Sequence, residues 1–183
     1  MSRTDKCWVT RRGFLQSTGM AAYGLAIGGL PALSQVTTNH LRQSLRVGII
    51  GSGQMGGAVG LKWAQSDHQI FFSSRNPDRL ADLVAEAGPN AQAGLPNAAA
   101  RFGEVVLIAV PYGALPQVGR DYGPIMQGKV VIDLGNPRED RDGPMAADAI
   151  ARGTGVTSAE YLPGVRLVRA LSRRSTALDA GIA

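Results

Sequence analysis

A short apolar run, Leu45-Arg46-Val47-Gly48-Ile49-Ile50, leads straight into Gly51-Ser52-Gly53-Gln54-Met55-Gly56, and a helical pattern then continues to Ser66. Few folds are open to a chain with a buried strand, a G-x-G-x-x-G turn and a helix in immediate succession. The run suits a central parallel strand covered on both faces. Gly51 then permits the tight turn, Gly53 lets the backbone approach a pyrophosphate, and Gly56 lets helix and strand pack closely. The free N–H groups of the helix start would face the phosphates. Stripped of that context, the same three glycines would mark only a strand–helix turn.

The remaining pattern extends the same alternation. Strands are predicted over 69–73, weakly over 91–93, and over 105–110, 129–134 and 165–168. Helices are predicted from Asn76, with Asn76 as N-cap and Pro77 at the first helical position, to a stop at Gly88. Further helices are expected from Pro96 to about Arg101, over 112–122 with an interruption at Pro116, and over 145–151. Strands alternating with helices imply right-handed crossovers, so the expected architecture is α/β: a Rossmann-like, doubly wound, mostly parallel sheet with helices on both faces.

The chain carries a net charge of +5, but residues 1–34 hold Arg3, Lys6, Arg11 and Arg12 against Asp5 alone. The rest is only mildly basic and shows no stripe of basic residues interleaved with aromatics, so no nucleic-acid partner is expected. In the leading segment, Thr10-Arg11-Arg12-Gly13-Phe14-Leu15 resembles a twin-arginine export signal and precedes a glycine-rich apolar run and a polar break at residues 31–35. Residues 1–34 are therefore read as a leader, 35–44 as a linker, 45–170 as the nucleotide-binding domain and 171–183 as a divergent tail. The expected location is the periplasm, with membrane contact only through the leader; anchoring by an uncleaved leader stays open. Cys7 is the single cysteine, so the body lacks disulfides, thiolate metal ligands and cysteine nucleophiles. No metal site is nominated.

The end of the second strand discriminates between dinucleotides. An Asp or Glu there, about 20 residues past the loop, would bond a ribose 2′-hydroxyl. This chain instead reads Ser73-Ser74-Arg75-Asn76, with Arg79 one turn later. A guanidinium fork and a hydroxyl suit a phosphate, which favours the 2′-phosphate of NADP.

The body, over roughly 45–170, resembles the NADPH-dependent coenzyme F420 reductase family. The likeness rests on Gly51-Ser52-Gly53-Gln54-Met55-Gly56, Ser74-Arg75, Ala109-Val110-Pro111-Tyr112 and Ile132-Asp133-Leu134-Gly135-Asn136-Pro137. Related domains occur in six-transmembrane metalloreductases and, more distantly, in pyrroline-carboxylate reductases. The resemblance implies that Ser74, Arg75 and Arg79 hold the 2′-phosphate. It implies too that Ala109, Val110 and Pro111 lie beside ribose and nicotinamide, and that Asn136 borders the substrate side.

In such a family hydride passes directly between stacked cofactors, so no acid–base pair is required and no catalytic residue is nominated. His40 and His68 read as solvated, and Asp133 as a hydrogen-bonded structural carboxylate. The tail, Leu171-Ser172-Arg173-Arg174, departs from the family's Ala-Phe-Asn turn, and a shortened acceptor half is expected. The expected function is an NADP(H)-dependent oxidoreductase serving a small-molecule acceptor that is flavin-like, deazaflavin (F420) or metal. The alternative is a non-catalytic or truncated NADP-binding module needing a partner chain. A homodimer also stays open.

Overall fold

The computed structural model describes residues 43–170. The expected leader, most of the expected linker, His40 and the expected tail lie outside the described residues.

Six strands form one sheet: β1 (Arg46–Ile50), β2 (Gln69–Ser73), β3 (Ala91–Gly94), β4 (Val105–Ile108), β5 (Val130–Asp133) and β6 (Arg166–Arg169). Their order is β3-β2-β1-β4-β5-β6, and every pairing among the described residues is parallel. This is the doubly wound order in which the chain starts at the centre, winds outward to β3, then crosses back and winds the other way. The helices are α1 (Gln54–Ala64), α2 (Ala81–Ala87), α3 (Pro96–Phe102), α4 (Leu115–Met126), α5 (Glu139–Asp142), α6 (Pro144–Arg152) and α7 (Thr154–Tyr161).

Side chains alternate across each strand, so the sheet feeds two separate cores. Val106, Ile108 and Val131 pack with Ala100 of α3, Leu115, Val118 and Met126 of α4, and Ala149 of α6. Ile49, Ile70, Phe72 and Leu107 pack on the opposite face with Ala64 of α1 and Leu80, joined by Leu83 and Val84 of α2. On this second face one cross-strand row runs Phe72, Ile49, Leu107, Ile132, Val168. Phe72, Ile49 and Leu107 are fully buried, whereas Val168 at the far edge is 47% exposed. The row is covered by α1 over the first three strands and emerges from that cover beyond β4.

Several local expectations need correction. Pro116 does not interrupt a helix: it lies in the first turn of α4, where its missing N–H costs nothing, and Tyr112–Ala114 form a separate 3-10 turn ahead of it. The strand expected over 105–110 stops at Ile108. Asn76 makes no side-chain cap; its own N–H donates to Ser74 Oγ at 3.1 Å, and the following turn, Pro77–Leu80, is 3-10. Helices α5 and α7 had no sequence expectation. Gly88 does close α2, with φ +82°. His68 is not merely solvated, since its Nδ1 accepts the Leu45 N–H at 3.2 Å and fastens the entry to β1.

Candidate functional site

The sheet winds in opposite directions from β1 and β4, and in doubly wound sheets the ligand crevice lies outside the carboxyl ends of the strands at that point. The nominated residues follow the carboxyl ends of β1, β2, β4 and β5, with Arg79 farther on in the 3-10 turn Pro77–Leu80. Ile50 pairs with Ser73 on one side and with Ile108 on the other, so Gly51 is flanked by Ser74 and by Ala109. Ile108 in turn pairs with Asp133, which sets Ala109-Val110-Pro111 beside Leu134-Gly135-Asn136.

The glycine loop is shaped by backbone constraints. Gly51 has φ +94°, a region that costs a residue with a Cβ roughly 1–2 kcal/mol. A Cβ there would also stand 2.8 Å from Ala109 O. At Gly56 a Cβ would come within 2.2 Å of Gly51 O, so α1 can start this close to β1 only with glycine. Gly53 is different: nothing lies within 4 Å of its hypothetical Cβ, and the space beside it is open. Gly53 precedes α1 without a side-chain cap, and no acidic residue occupies the first turn. The first N–H groups of the helix, on Gln54, Met55 and Gly56, therefore have no intrahelical acceptor and no carboxylate competing for them. Met55 is 54% exposed above this turn.

Ser52 faces inward. Its N–H donates to Ser73 O at 2.8 Å, and its Oγ accepts the Ser73 N–H at 2.8 Å. Ser73 Oγ donates to Ile49 O. Ser52 thus pins the loop to β2 rather than offering its hydroxyl outward. Beyond it Ser74 is half-buried, with its N–H on Gly94 O at 3.3 Å, while Arg75 and Arg79 are exposed. Among the described residues neither arginine has a carboxylate partner within ion-pair distance.

Across the crevice the walls are held from within. Asp133 is fully buried; its Oδ1 accepts the Gly135 N–H at 2.7 Å and its Oδ2 accepts Ser158 Oγ–H at 2.9 Å. Arg169 of β6 pairs with the same carboxylate and lies over the Tyr112 ring, 5.8 Å from its centre. Tyr112 is itself fully buried, its hydroxyl 2.6 Å from Thr157 Oγ1. The reading of Asp133 as a structural carboxylate agrees with this geometry, whereas its partners Arg169 and Ser158 could not be foreseen. Asn136 is half-buried, and its carbonyl accepts Arg141 Nη2–H at 2.7 Å.

Residues 46–137, from the start of β1 through Pro137, match the family model described as NADP oxidoreductase, coenzyme F420-dependent. The fold is similar to that of a protein designated an F420-dependent NADP-reductase from Arthrobacter sp. FB24, with TM-score 0.59 and 20% identity over 74% of this chain and 66% of that one. A pyrroline-5-carboxylate reductase from Coxiella burnetii matches with TM-score 0.54 and 18% identity, over 69% of this chain and 43% of that one. An imine reductase from Streptomyces aurantiacus gives TM-score 0.50 and 25% identity, over 67% and 39%. The likeness shows the Rossmann fold, and the chain spans 66% or less of the length of each.

Proposed function

The chain belongs to the family of F420-dependent NADP oxidoreductases, and on that premise we propose that it binds NADP(H) across the β1/β4 crevice and passes hydride to a flavin-like, deazaflavin or metal acceptor. One observation carries the cofactor assignment. The strand register sets Ser74 beside Gly51, with Arg75 the next residue along and no carboxylate at the end of β2. A ribose 2′-phosphate meets donors there, whereas a 2′-hydroxyl finds no acceptor of the usual kind.

The residues fit the cofactor. The pyrophosphate takes the unpaired N–H groups at the start of α1, approached over the open side of Gly53. Ser74 supplies a hydroxyl, and Arg75 and Arg79 supply planar forks for the 2′-phosphate. Ala109, Val110 and Pro111 at the end of β4 flank the nicotinamide half, and Asn136 flanks the acceptor. Bound NADPH supplies the hydride. None of the four residues just named titrates, so the chain's part is to bind, orient and exclude water rather than to move protons. Oxidation of NADPH in the presence of free flavin, F420 or a ferric chelate tests this; inertness toward all three would end the oxidoreductase reading.

A second reading is favoured by the row that emerges from under α1 at Ile132 and Val168: a nucleotide-binding module whose turnover needs a partner chain to cover that face. NADPH binding without turnover would support it, and turnover by the isolated chain would remove it. The leader over 1–34 carries the further proposal that the domain is exported already folded around its cofactor. Retention of full periplasmic export in an Arg11→Lys, Arg12→Lys double variant would contradict that.

A further inference from the structure

Helix α5 is a single turn of charged residues, Glu139-Asp140-Arg141-Asp142, that would pass for solvated surface. Its last side chain is not solvated: Asp142 is only 2% exposed. Its Oδ1 accepts the Gly113 N–H at 3.1 Å, from the turn that follows β4. Its Oδ2 accepts the Arg138 N–H at 3.0 Å, from the turn that follows β5. Arg141 grips both oxygens, Nε to Oδ1 at 2.9 Å and Nη2 to Oδ2 at 2.7 Å, and also donates Nη2 to Asn136 O at 2.7 Å. An unbroken chain of polar contacts therefore joins the Pro111-Tyr112-Gly113 turn to the Asn136-Pro137-Arg138 turn. The pairing with Arg141, helped by the two backbone N–H groups and opposed by burial, pulls the Asp142 carboxyl down to about 2.

These are the two turns that border the far half of the crevice. In a doubly wound sheet the dinucleotide lies across the switch point, one mononucleotide over each half. Its adenosine end belongs to the glycine loop and β2, and its nicotinamide end to β4 and β5. We propose that Asp142 and Arg141 are positioning residues for the nicotinamide half, acting by fixing the gap between the turns after β4 and β5. This rests on the dinucleotide reading above. Neither side chain touches the cofactor; each acts through Gly113, Arg138 and the Asn136 carbonyl.

The test is a pair of titrations on wild type and Asp142→Asn, with NADPH and with adenosine 2′,5′-bisphosphate, which has the adenosine half alone. An amide at position 142 keeps the shape but turns an NH₂ donor toward partners that are all donors. NADPH should bind about tenfold more weakly and the bisphosphate within about twofold of wild type, a gap that loosening of the far half alone explains. Arg141→Gln, at a more exposed position, should give the same selective loss at smaller amplitude, about threefold. Unchanged NADPH affinity in both variants would overturn the proposal. Parallel losses on the two ligands would also overturn it, since they would mean that the contacts serve only the stability of the domain. A wild-type chain that binds neither ligand would sink the dinucleotide reading, and the proposal with it.

Discussion

On the β2 side of the crevice the wall is made of main chain: glycines that allow close approach, a helix start with free N–H groups, and two arginines left in solvent. On the β5 side it is made of side chains. There Asp133 of β5 joins Ser158 of α7 and Arg169 of β6, 25 and 36 residues later in sequence, and Asp142, gripped by Arg141, bridges from α5 back to Gly113. A backbone cradle is rigid because the helix and strand behind it are rigid. A side-chain clasp is only as good as each of its polar partners, and it fails when one is removed. On the proposed reading, the main-chain wall takes the constant part of the dinucleotide and the side-chain wall takes the part where acceptors differ.

Breaking the clasp at its buried end should have the largest effect. Asp133→Asn leaves Arg169 without its carboxylate in a nearly buried site, a change expected to cost about 3–5 kcal/mol of stability in urea titration. A loss below about 1 kcal/mol would mean that the β5 wall does not depend on this pair. Next comes Gly56→Ala, whose Cβ must displace Gly51 O from 2.2 Å; about 1–3 kcal/mol of stability and most NADPH affinity should go together. Gly53→Ala sharpens the contrast, because its Cβ meets nothing in the protein. Stability should change by less than about 1 kcal/mol while NADPH binding weakens about tenfold, as a methyl enters the path of the pyrophosphate. If Gly53→Ala binds NADPH normally, the loop does not cradle a phosphate.

The smallest effect is one of pH. The Asp142 carboxyl is depressed to about 2 by Arg141. A depressed folded-state pKa contributes stability that is complete above the unfolded value near 4 and is lost as pH falls toward 2. The difference in melting temperature between wild type and Asp142→Asn should therefore be constant above about pH 5 and shrink below pH 4. A gap that persists unchanged at pH 2.5 would show that the charge of Asp142 is not what holds the turns.

The same contrast decides which features are legible in the amino-acid sequence. Gly51, Gly53 and Gly56 announce themselves because backbone geometry demands glycine at fixed spacing, and Ser74-Arg75 because the strand before them has an unambiguous apolar pattern. The doubly wound, parallel class follows from alternation and crossover handedness, whereas the strand order is visible only in the fold. Nothing local to Arg169, by contrast, names Asp133, 36 residues earlier, as its partner. Helix α7 escaped because Thr154-Gly155-Val156-Thr157-Ser158 has poor intrinsic helix propensity; what fixes it is tertiary, Thr157 and Ser158 buried against Tyr112 and Asp133. Pro116 misled in the other direction: the same residue that breaks a helix interior suits a helix start, and only the 3-10 turn ahead of Leu115 decides which applies.

The cofactor assignment depends on a phosphorylated dinucleotide being selected at the end of β2. Calorimetric titration of the chain with NADPH and NADH, repeated for Arg75→Glu, tests that selection. NADPH should bind at least about tenfold more tightly than NADH, and Arg75→Glu should remove the preference by weakening NADPH while leaving NADH nearly unchanged. Equal affinities in the wild-type chain, or a preference that survives Arg75→Glu, would contradict the assignment of Ser74 and Arg75 to a 2′-phosphate.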